Sequence, residues 1–143
     1  MRWLRPDIAS FRRQKSPYLI PDDARIAYWR DWLHRLGPGP KAGLCWRSIR
    51  RDGLRGTQYA AIEDCGGLIA DPRCTWVNLQ YGDCAAELDQ AATLFGRPLV
   101  QPPGIDLMHD LDDLAALLVA LALEQLDRAG RARHDRPFRE ARL

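Results

Sequence analysis

Three short apolar runs alternate with stretches of helical spacing, and this alternation limits the chain to few folds. The runs are KAGLCW (41–46), RCTWVNLQ (73–80) and RPLVQPPG (97–104). Each has the length of a strand and is bounded by glycine, proline or aspartate. Ahead of the first lies PDDARIAYWRDWLHRLGPGP (21–40), in which Ile26, Trp29, Leu33 and Leu36 recur every three or four residues. Asp22 or Asp23 can cap that helix, and GPGP stops it. TQYAAIEDCGGLIADP (57–72) reads as a short helix interrupted by glycine. CAAELDQAATLFG (84–96) reads as a helix with Leu88, Ala91, Ala92 and Phe95 on its inner face and Gly96 at its end. The last helical stretch, DLDDLAALLVALALEQL (110–126), is apolar nearly all round from Leu114 to Leu123, which predicts burial on more than one side.

Strands alternating with helices at these lengths predict βαβ units and a parallel sheet. The expected fold is therefore α/β, a partial Rossmann-like three-layer unit of three parallel strands with flanking helices. It occupies residues 22–123. Residues 1–21 hold three prolines and no sustained period, and read as an extended lead-in. Residues 124–143 carry six arginines and few large apolar side chains, and read as a basic, disordered tail.

The chain's 143 residues suffice for one domain with a core, and 46% hydrophobic with 28% charged residues is ordinary for a soluble globular protein. The net charge of +2 gives no general pull on nucleic acid or lipid. Charge is nevertheless polarised. From Glu63 to Asp113 there are ten acids against Arg73 and Arg97, whereas Arg47–Arg55 holds four arginines against Asp52. No RNA-binding or helix-turn-helix pattern accompanies these arginines, so a nucleic-acid partner is not expected. Cys45, Cys65, Cys74 and Cys84 form no C-x-x-C pair, which argues for free thiols in a reducing compartment and against zinc. The first residues lack an apolar signal core, and the apolar run 114–123 is half a membrane span, so the location expected is cytoplasmic with no membrane partner.

In open α/β sheets ligands bind beyond the carboxyl ends of strands, which singles out two corners. After the first run, Arg47, Ser48, Arg50 and Arg51 could meet a diphosphate, or simply form a solvated basic loop. After the second, Gln80, Tyr81 and Asp83 could rim a ligand pocket. Alternatively, Gly82 makes a turn and Asp83 caps the next helix. Asp106, His109, Asp110, Asp112 and Asp113 cluster at a helix start, where capping and the dipole already account for acids. No metal site and no cofactor are expected.

DDARIAYWRDWLHRLGPGPKAGLCWRS, WVNLQYGDCAAELDQAATLFG and GIDLMHDLDDLAALLVAL together resemble blocks of bacterial tetratricopeptide-linked proteins with a glycosyltransferase-like C-terminal region. The resemblance runs from Tyr18 to Leu121, and CWRS and NLQYGD are its most distinctive parts. It implies the nucleotide-sugar-binding half of a GT-B architecture, two facing Rossmann-like domains without an obligatory metal. It also implies a link to flagellar or surface-polysaccharide modification. Two departures stand out. Ile49 occupies the place of a glycine, and after Leu121 the expected strand gives way to an arginine-rich stretch. The expectation is a truncated or frame-disrupted relative that binds a nucleotide-sugar without catalysing transfer alone. The alternative is a non-enzymatic α/β interaction module. A homodimer through the exposed edge of the first strand is a further expectation.

Overall fold

A computed structural model describes residues 19–48 and 59–134, with side chains described as far as Ala129. The elements run α1 (Asp23–Arg35), β1 (Lys41–Leu44), a 3-10 turn (Ile62–Cys65) leading into α2 (Gly66–Ile69), β2 (Thr75–Asn78), α3 (Ala85–Phe95) and α4 (Leu111–His134). Asp22 caps α1, its Oδ1 accepting from the amides of Ala24 at 2.9 Å and Arg25 at 3.1 Å. Gly37, at φ 105°, follows the helix in a backbone region that favours glycine.

β1 and β2 pair in parallel, Lys41 against Thr75 through Leu44 against Asn78. Side chains alternate across this sheet and feed a core on each face. Val77 joins Trp29 and Leu33 of α1 and Ala116, Leu117, Ala120 and Leu121 of α4. Leu44 and Trp76 pack with Trp46, Ile62, Ile69, Ala91 and Leu99 on the other face.

The three-stranded Rossmann-like unit expected from the sequence does not form. Among the described residues the sheet has two strands, and RPLVQPPG contributes one parallel bridge, Val100 to Val77. The Val100 amide donates to Trp76 O at 2.8 Å and its carbonyl accepts from Asn78 N at 2.9 Å. In register, the next ladder donors on either side would be residues 98 and 102. Both are prolines and have no N–H to give. The ladder therefore ends where it begins.

α4 also departs from expectation. It continues past Glu124, where the sequence suggested a tail, to His134. Its burial is one-sided: Ala116, Leu117, Ala120 and Leu121 are buried, while Leu111, Leu118 and Leu126 are exposed. Among the described residues no helix is long and apolar enough to cross a membrane.

Candidate functional site

Because β1, β2 and the Val100 bridge run parallel, the loops leaving them lie at one end of the sheet. The NLQYGD corner sits there. Gln80 is a polar side chain only 2% exposed. Its Oε1 accepts from Trp46 N at 3.2 Å and Arg47 N at 3.0 Å. Its Nε2 donates to Arg47 O and Tyr81 O, both at 2.9 Å. Two lone pairs and two amide protons are all a glutamine has, so its bonding capacity is filled by backbone. Gln80 thus ties the chain leaving β1 to the chain leaving β2. Asn78 braces it, its Oδ1 accepting from Gln80 N and its Nδ2 donating to Gln101 Oε1, each at 2.9 Å.

The side chain of Arg47 is 9% exposed and engaged with Glu87 in α3. Its Nε donates to Glu87 Oε1 at 2.7 Å and Oε2 at 2.9 Å, and Nη2 donates to Glu87 Oε2 and to Asp83 O. The indole of Trp46 adds a 3.4 Å contact to the same carboxylate. Tyr81 OH and Ser48 Oγ lie 3.1 Å apart. The five described residues singled out from the sequence, Arg47, Ser48, Gln80, Tyr81 and Asp83, do come together. They are largely bonded to one another and to Glu87. Arg50 and Arg51 lie outside the described residues.

Beside this corner is an open cleft of about 510 Å³. Its polar lining is Asn78, Gln80, Tyr81, Gln101, Asp106 and His109, and Ile105, Leu107 and Met108 supply apolar surface. The segment after Val100 places these last groups. The turn at Gly104, φ 71°, returns the chain, and Asp106 Oδ1 accepts from Met108 N at 2.8 Å and His109 N at 3.1 Å. The other oxygen of Asp106 meets His109 Nδ1 at 2.9 Å. That ring contact, followed by the Met108 amide, holds the Asp106 carboxyl below its ordinary value. With Nδ1 engaged by Asp106, Nε2 is the ring nitrogen left to meet a ligand. The cleft can therefore offer hydroxyl-bearing ligands an anionic acceptor, the Gln101 amide and an imidazole nitrogen, while the amides of Asn78 and Gln80 are already bonded within the protein. Among its described lining residues only His109 can carry positive charge. No group of three or more His, Cys, Asp or Glu among the described residues could hold a metal.

Sequence reasoning missed Asn78, Gln101 and Glu87 as parts of this end of the molecule. The one available signal was that Asn78 and Gln80 are two apart at the end of an apolar strand, hence on one side. It also missed a second polar centre at the opposite end of β1. There Lys41, 1% exposed, and Glu124, 4% exposed, meet at 3.4 Å. Arg128 Nε donates to Glu124 Oε1 at 3.0 Å, and Lys41 Nζ donates to Gly37 O at 2.5 Å. Burial pushes the Glu124 carboxyl up, but the Arg128 and Lys41 bonds outweigh it and leave it below its ordinary value.

No protein-family model matches the chain, and no solved structure matches it. It is similar to Protein FlbA of Caulobacter vibrioides, 42% identical over 120 residues. The matched region is 84% of this chain and 20% of that relative. The chain thus spans about a fifth of the length of the curated relative it matches, whose name states no activity, substrate or partner.

Proposed function

We propose that the chain binds the hydroxyl-rich part of a nucleotide-sugar in the cleft beside Gln80, as the donor-holding portion of a glycosyltransferase-like protein, and does not transfer sugar alone. The observation that carries this is the lining of the cleft at the carboxyl end of a parallel sheet, with Asn78, Tyr81, Gln101, Asp106 and His109 grouped there. Carboxylate and amide side chains suit sugar and ribose hydroxyls, each of which both donates and accepts. The sequence resemblance points to the same ligand class. Arg47 has a positioning role in this reading, since its guanidinium is already held by Glu87. The phosphates gain nothing from it unless that pair opens.

Isothermal titration with UDP-, GDP- and CMP-linked sugars tests the reading. One class should bind, and Asp106→Ala should weaken it at least tenfold with the fold retained. Arg47→Ala should lower thermal stability more than affinity. Failure of every nucleotide-sugar to bind would overturn the proposal.

A second reading, a non-enzymatic interaction module, draws on the exposed leucines of α4 and on the small share of the longer relative that the chain spans. Pairing of two copies through the outer edge of β1 has exposed Gly43 and Cys45 in its favour. Against it, Gln125 of α4 already donates to the Lys41 carbonyl on that edge. The four free thiols fit a reducing cytoplasmic setting.

A further inference from the structure

We infer that the outer face of α4 is an antiparallel docking surface for α4 of a second copy of this chain. The inner face of α4 is accounted for by α1 and the sheet. The outer face carries, turn after turn, Leu111, Ala115, Leu118, Ala122, Leu126 and Ala129. Their spacing of three and four keeps them on one side of the helix. Leu111 is 61% exposed, Leu118 47% and Leu126 66%. An apolar stripe running this far on a surface helix is characteristic of an interaction site.

The order of residues along the stripe identifies the occupant. Leucine and alanine alternate. When two such helices run antiparallel, Leu111 falls opposite the second copy's Ala129, Ala115 opposite its Leu126, and Leu118 opposite its Ala122. Every large side chain then faces a small one, and the pattern is satisfied twice by one twofold axis, as an isologous dimer requires. A parallel pair would set leucine against leucine and alanine against alanine. The helix dipoles are also opposed in the antiparallel arrangement.

Sedimentation equilibrium on the full chain should give a concentration-dependent dimer. Leu118→Glu should make it monomeric with an unchanged circular-dichroism spectrum. Should that variant misfold, directed cross-linking gives an independent answer. In a Cys45→Ser background, Leu111→Cys mixed with Ala129→Cys should form a disulfide-linked heterodimer on mild oxidation. Leu111→Cys alone should cross-link at least tenfold less, because the two copies of residue 111 would lie about 27 Å apart at 1.5 Å per residue. A wild-type monomer at every concentration, a dimer untouched by Leu118→Glu, or equal cross-linking of Leu111→Cys alone would overturn the inference.

Discussion

Gln80 shows how one residue can convert a strand end into a fixed corner. The amides of Trp46 and Arg47 have no further β-ladder to enter, and its Oε1 supplies their acceptor. Gln80→Ala leaves those buried groups unpaired and should cost about 2–3 kcal/mol in urea unfolding, with the slope unchanged. Glu124 is the corresponding residue at the other end of β1. Glu124→Ala would leave the buried Lys41 ammonium without its carboxylate, and the expected loss is roughly 3–5 kcal/mol by the same measurement. Neither role was readable from neighbouring residues. The partners lie 33 and 83 positions away, and only the fold brings them together. The same holds for Arg47: four arginines in a short loop suggest phosphate, but Glu87, 40 positions later, already occupies the first of them. That the five described candidates would lie together was legible, because parallel strands put their carboxyl ends on one side.

At the scale of elements, local pattern was a good guide where one face is apolar and the other polar. The spacing of Trp29 and Leu33 appears in the structure as read, the cap falls to Asp22 of the two aspartates offered, and the first two apolar runs form strands, each shorter than its run. It misled where composition alone was used. RPLV has the apolar character of a strand, yet prolines at 98 and 102 remove the amides a longer ladder needs. The stretch after Glu124 has few large apolar residues and many arginines, but arginine and alanine are strong helix formers and α4 runs through it. A similar contest between propensity and packing is testable at Gly66. Alanine there should favour α2 by about 1 kcal/mol on propensity. Its Cβ would, however, sit 2.6 Å from Cε1 of Phe95. Overpacking of that kind costs about 1–3 kcal/mol, so Gly66→Ala should be net destabilising. Adding Phe95→Leu should recover part of the loss.

At the scale of the whole molecule, the sheet is a narrow partition between two cores, and ionised carboxylates tie its surroundings together. Arg73 draws the half-buried Asp71 carboxyl from 3.8 down to about 2. Asp106 and Glu124 are also held below their ordinary values of 3.8 and 4.5. A carboxyl whose folded value is depressed binds its proton more readily in the unfolded chain. Its stabilisation is therefore complete above the ordinary value and is lost as pH falls through the folded one. The melting temperature should accordingly show little carboxylate-linked change from pH 7 to 5, then fall steadily from about pH 4.5 toward 2. The central claim concerns the cleft, and a titration of amide NMR shifts with nucleotide-sugars tests it most directly. The account predicts saturable shifts concentrated at Gln101 and Asp106–His109, with Gln80 and Tyr81 following and α1 silent. Shifts confined to other surfaces, or no shifts at millimolar ligand, would contradict it.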